Sequence, residues 1–168
     1  MLAFFWRDYA ELSEAPRARV SDWLVAAGAG ILVFGAWIAF DTGWAVVGGG
    51  ARGFVPATPI EAALRLVGLA AIVPVMEELF WRSFLMRWIE ARDFLAFDPR
   101  KTGLRAFALS SALFASEHSL WFAGLVAGIA YGWMYKRSGN LWTAILSHAV
   151  TNGALGIWIL ATGSWKSW

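Results

Sequence analysis

Glu77 and Glu78 stand side by side in an apolar stretch, with Arg82 close behind, and the chain's only two histidines, His118 and His148, also fall in apolar surroundings. Ionisable groups are costly to bury in lipid, so those that persist there face an interior cavity and perform a function. On a helix, Glu78 and Arg82 are four residues apart and can pair. Glu77 points about 100° away at ~3.6 residues per turn. One carboxylate can thus be neutralised while the other stays free as a general base. Phe80, Trp81 and Phe84 argue against a solvated helix end with ordinary surface charges. His148 and Asn152 share a helix face and suit a metal, a substrate carbonyl or a developing oxyanion. The same two residues would equally serve as a polar contact between helices. His118 follows a short apolar run, and a membrane helix ends inside the bilayer only where protein or water lines the break. Glu117, its neighbour, is the alternative functional group at that point.

The elements that must carry these residues are membrane helices. The chain has 168 residues, enough for one domain, and is 59% hydrophobic and 15% charged. Soluble domains average roughly 45–50% and 25%. Twelve tryptophans point the same way. Trp23, Trp44, Trp121, Trp142, Trp165 and Trp168 lie near the ends of apolar runs, where the ring meets lipid and the N–H meets water. No cysteine is present, which excludes disulfides and thiol chemistry. A net charge of +2 with no basic tract gives no sign of nucleic acid as a partner. Met1 to Trp6 is too short an apolar run for a secretory signal and is followed by Arg7, Asp8, Glu11 and Glu14.

Along the chain, residues 1–21 are mixed and charged and read as an interfacial segment. Trp23 to Phe40 is uncharged for 18 residues, roughly 27 Å of helix and close to a full crossing. Asp41 to Pro59, with Gly48-Gly49-Gly50, is a loop. Ile60 to Arg92 reads as one long helix, with Pro74 kinking it just before the acidic pair. Phe94 to Gly103 is a second loop. Ala106 to Ser116 reaches only about halfway across at ~1.5 Å per residue. Ser119 to Tyr135 is apolar with Gly124, Gly128 and Gly132 at four-residue spacing, a face that another helix could approach closely. After the polar turn Lys136 to Asn140, Leu141 to Trp165 is free of charge apart from His148. The expected fold is an all-α polytopic transmembrane bundle with a long kinked helix and a short or broken one. It forms a single membrane domain, with a catalytic core over residues 60–160. Arg7, Arg17 and Arg19, then Arg92, Arg100, Lys101 and Arg105, then Lys136 and Arg137 can all be cytoplasmic, leaving Arg52 and Lys166 outside. The N-terminus is then cytoplasmic.

Counted from those cytoplasmic ends, Glu77 and His118 lie about 20 Å deep and His148 about 10 Å, which allows them to converge. Glu77-Glu78-x-x-x-Arg82, Phe114-x-x-x-His118 and His148-x-x-x-Asn152, in this order, resemble the motifs of the CAAX protease and bacteriocin-processing family of intramembrane endopeptidases. The resemblance covers roughly residues 60–160, and Val73 to Leu85 is most similar to the bacterial CAAX prenyl protease-related group. It implies that Glu77 and His118 activate the attacking water. It implies that His148 and Asn152 stabilise the oxyanion and that Glu78 and Arg82 support the site. It implies a glutamate mechanism without a cofactor, although Glu77, His118 and His148 with a water would make a zinc set. The implied substrate is a membrane-anchored peptide or protein, lipidated or prenylated, and the implied location the bacterial cytoplasmic membrane. The prenyl-protein members have more helices, so the reaction type transfers better than their specificity. A membrane immunity or binding protein that keeps the fold is the alternative. An ion or proton pathway is the third reading.

Overall fold

A computed structural model describes residues 9–13, 17–48 and 53–165. The expectations placed on residues 1–8, Glu14, Gly49, Gly50, Arg52, Lys166 and Trp168 lie outside the described residues. Among the described residues every regular element is helical. A short helix, α1 (Ala10–Ser13), precedes α2 (Val20–Ala39). The long helix α3 spans Pro59–Glu90. Three more follow: α4 (Leu104–Ser116), α5 (Trp121–Ser138) and α6 (Leu141–Thr162). The helices α2, α3 and α6 are long and apolar enough to cross a membrane, and α4 is the short apolar one. The chain is a helical membrane bundle.

Local chemistry sets the boundaries. Thr58 caps α3 by accepting from the Glu61 amide at 3.2 Å, with Pro59 at the first helical position. Asn140 caps α6 through its side chain, 2.8 Å from the Trp142 amide. Gly139 ends α5 at φ 69°, and the Arg100 guanidinium fills the space a side chain there would need.

Small residues bring the helices together. A methyl on Gly30 of α2 would lie 2.4 Å from the Ser147 carbonyl oxygen of α6. Thr151 donates back to the Gly30 carbonyl at 2.9 Å. Gly124, Gly128 and Gly132 of α5 all face α4 or the residues packed beside it, where added methyls would meet Ala115, Ser111 and Phe107. The four-residue glycine spacing is thus the seam for α4. Central α5 buries Ala123, Ala127, Tyr131, Met134 and Tyr135. Leu24, Leu32, Leu64 and Ile157 stay exposed on the outer faces, where a bilayer replaces water.

The two ends of the bundle differ in charge. One end gathers the start of α2, the α3–α4 loop and the α5–α6 turn. It is tied by Arg137 to Asp22 at 3.2 Å, Lys136 to the Thr102 carbonyl and Arg100 to the Ser138 carbonyl. Here α1 docks: Glu11 binds Arg87 at 3.0 Å and accepts from the Tyr135 hydroxyl, and the Trp142 indole N–H donates to the Leu12 carbonyl. This basic rim holds Arg17, Arg19, Arg92, Arg100, Lys101, Arg105, Lys136 and Arg137. At the opposite end Arg65 is the Lys or Arg among the described residues. The α2–α3 linker folds down there onto the α4–α5 turn. The Val47 amide donates to the Ser119 carbonyl at 2.8 Å and the Trp121 indole to the Trp44 carbonyl at 3.2 Å.

Candidate active site

The long helix is not uniformly wound. Gly68–Ile72 and Leu79–Met86 are π-helical, on either side of Pro74 and the acidic pair. Sequence reasoning puts a proline kink there; the structure puts wide turns there. The Val73 amide bonds the Gly68 carbonyl, five residues back. In that register the next donor, to the Leu69 carbonyl, would be residue 74, and proline has no N–H. The Asn152 side chain of α6 replaces it, donating to the Leu69 oxygen at 2.9 Å. In the second wide segment the Trp81 carbonyl accepts from Ser110 at 2.9 Å, and the Ser83 carbonyl from Arg87 at 2.6 Å. Such π turns concentrate at functional sites.

Glu78 and Arg82 pair at 3.0 Å, both essentially without solvent exposure. The approach is an ion pair rather than an aligned hydrogen bond, since Glu78 Oε2 and Arg82 Nη1 have no hydrogen-bond partner among the described residues. Arg82 also donates to the Gly128 carbonyl at 3.3 Å and lies 4.4 Å over the Phe114 ring. The other carboxylate oxygen, Glu78 Oε1, meets His148 Nδ1 at 2.9 Å. A carboxylate already paired with a guanidinium is an acceptor, so His148 Nδ1 carries the proton and Nε2 is the nitrogen left free. Tyr131 stacks on this ring at 4.7 Å and 16°.

His118 is held by the same logic. Its Nδ1 lies 2.8 Å from the Phe114 carbonyl, which can only accept, so Nδ1 donates and Nε2 is free. Trp37 meets the ring edge-on at 5.4 Å, and Phe114 lies 4.6 Å away, tilted. Gly124 makes room: a methyl there would sit 3.2 Å from His118 Cβ. Glu117 is exposed beside it.

Glu77, His118, His148 and Asn152 all line one cavity of about 260 Å³. Glu77 Oε2 is buried there with no hydrogen-bond partner. The rest of the lining is mostly apolar, including Trp37, Leu69, Val73, Leu155 and Ile159. Glu78 and Arg82 sit behind the wall. Among the described residues no three His, Asp or Glu side chains are placed to hold one metal ion. Sequence reasoning missed Tyr131 and Trp37. Tyr131 lies seven residues after Gly124, on the seam face of α5, which is the signal that could have found it.

This arrangement can activate a water: a free carboxylate and a free imidazole nitrogen border the same small space, and a second imidazole stands across it. Residues 59–154, more than half of the chain, match the family described as type II CAAX prenyl endopeptidase, Rce1-like. No curated protein and no solved structure matches. The match spans all three motifs, from the Pro59 start of the long helix to beyond Asn152, and the chain belongs to this Rce1-like family of membrane-embedded CAAX-type endopeptidases.

Proposed function

We propose that this chain hydrolyses a peptide bond of a membrane-anchored peptide by glutamate-activated water. The observation that carries the reading is the unpartnered, buried Glu77 oxygen in a cavity where both histidines offer a free Nε2. Glu77 and His118 take a proton from the water as its oxygen bonds the scissile carbonyl carbon. The oxygen of that carbonyl becomes the oxyanion. The second N–H of Asn152 donates to it, and His148 donates from Nε2 once that nitrogen has taken up a proton from solvent. Glu78 stabilises that imidazolium as a carboxylate orients a catalytic histidine. The C–N bond then breaks, and the departing amine takes back the proton first removed from water. Asn152 thus has two duties, one N–H on the Leu69 carbonyl and one toward the cavity. The apolar lining suits an acyl- or prenyl-tethered substrate.

The test is cleavage of fluorogenic peptides carrying a prenyl or acyl anchor, by protein reconstituted in liposomes. Glu77→Gln and His118→Ala lower kcat by about 10²–10⁴-fold, and His148→Ala by about 10²–10³-fold, in variants that keep a monodisperse elution profile. Full turnover by folded Glu77→Gln would end the reading.

A further inference from the structure

His118 lines a second cavity. This vestibule of about 400 Å³ is bounded by Ser116, Glu117, Ser119, Trp121 and Val47, and it opens where the α2–α3 linker rests on the α4–α5 turn. Ser116, Glu117 and Ser119 make its lining more polar than that of the main cavity. Ser116, Glu117 and Ser119 are all exposed. The turn is recessed, because α4 has 13 residues and so rises only about 20 Å, against about 30 Å for a full crossing.

In the other direction the site is shut. Below Glu77 and His148, toward the basic rim, Arg82, Met86, Met134 and Tyr135 are each at most 1% exposed. The Arg87–Glu11 pair and Tyr135 hydroxyl close that end. The main cavity also runs away from the basic rim. On α6 its lining passes from His148 through Leu155 to Ile159, and on α3 from Glu77 back to Leu69.

We propose that water and the polar part of the peptide reach the catalytic groups from the face opposite the basic rim, through the vestibule at His118. The inference rests on the proteolytic reading for its purpose, but not for its geometry. Lysine and arginine bias marks the basic rim as cytoplasmic, so the vestibule opens to the extracytoplasmic side. The substrate class is then a membrane-tethered peptide whose cleavable segment is displayed on that outer face. One imidazole separates the two cavities. It lines the vestibule on one side and, on the other, the cavity that Glu77 also lines, which is where a proton-accepting group must stand.

The chain contains no cysteine, so single cysteines can be read without background. Full-length Ser119→Cys and Val47→Cys, on the two walls of the vestibule, are treated in intact cells and in inverted vesicles with a membrane-impermeant sulfonated thiol reagent. Lys101→Cys marks the basic rim. The expected result is labelling of both vestibule cysteines from outside the cell and of Lys101→Cys from inside only. Labelled Ser119→Cys then loses most of its turnover of the anchored peptides, whereas the unlabelled variant retains it. Labelling of the vestibule positions from the cytoplasmic side, labelling from neither side, or labelling with turnover intact overturns the proposal. The labelling is repeated in the Glu77→Gln background. An active Glu77→Gln enzyme with outside labelling defeats the mechanism and leaves the access route standing. An inactive one labelled from inside does the reverse.

Discussion

Replacing Gly128 by alanine tests whether the glycine seam sets the geometry of the site. The added methyl would lie 2.9 Å from the Ser111 carbonyl oxygen and 3.0 Å from Ser111 Cα, both backbone atoms of α4. Ordinary contact begins at 3.4 Å, so α4 must retreat by about half an ångström. Overpacking of this kind costs about 1–3 kcal/mol, and alanine returns about 1 kcal/mol of helix propensity. The net loss of stability is therefore small, about 0–2 kcal/mol. Activity responds differently. Ser111 is two turns from His118, and a misplacement of 1 Å costs about a hundredfold in rate, so half of that costs about tenfold. Gly28→Ala in α2 is the control, since nothing lies within 4 Å of its methyl; it gains up to about 1 kcal/mol and leaves turnover unchanged. Thermal unfolding in one detergent and cleavage of an anchored fluorogenic peptide read both quantities. If Gly128→Ala is stabilised like Gly28→Ala and cleaves at the wild-type rate, α4 and α5 are not packed at this distance and the reasoning fails.

Glu78→Leu strands a guanidinium that is 1% exposed and destabilises by about 3–5 kcal/mol. Glu78→Leu with Arg82→Met recovers most of that stability yet stays inactive, because His148 has lost its carboxylate; a double variant as unstable as the single one refutes the pairing. Asn152→Ala leaves the Leu69 carbonyl without its donor and costs about 1–3 kcal/mol. In a Pro74→Ala background the backbone supplies an N–H near that oxygen, so the same change costs less, by a coupling of about 0.5–3 kcal/mol; strict additivity in an unfolding cycle shows that proline and asparagine are not linked.

Much of the bundle was legible in advance because lipid imposes simple rules. Uncharged stretches of crossing length gave α2 and α6 within a few residues, and the shortness of the run ending at Ser116 gave the recessed α4. The glycine spacing pointed to a close neighbour, although not to which helix. The Glu78–Arg82 pair followed from helical spacing alone. The wide turns of α3 did not, because proline signals a lost donor without saying how the backbone redistributes the others. Nor could sequence show that Asn152 repairs that loss, since 83 residues separate it from Leu69. Both histidine tautomers were equally hidden: each is fixed by a partner, the Phe114 carbonyl or the Glu78 carboxylate, whose position depends on the packing of several helices.

The buried pair also bears on why this site has its particular composition. A Glu–Arg pair taken out of solvent gains little or no stability over well-packed apolar residues of similar size. Here the account is worse than usual, because Arg82 Nη1 finds no acceptor among the described residues. Stability alone therefore gives no reason for these two side chains. Orientation does. Glu78 uses one oxygen for Arg82 and the other for His148 Nδ1, which fixes the ring with Nε2 toward the cavity. Arg82 pairs with Glu78 and leans on Phe114, whose own carbonyl fixes His118. One ion pair thus governs both imidazoles, through a carboxylate on one side and a ring and its backbone on the other. Adjacent Glu77 is turned about 100° away on the helix and takes no part in this clamp. That division, one glutamate held in the clamp and the one before it left with an unpartnered oxygen in the cavity, is the physical content of two consecutive acidic residues in an apolar helix.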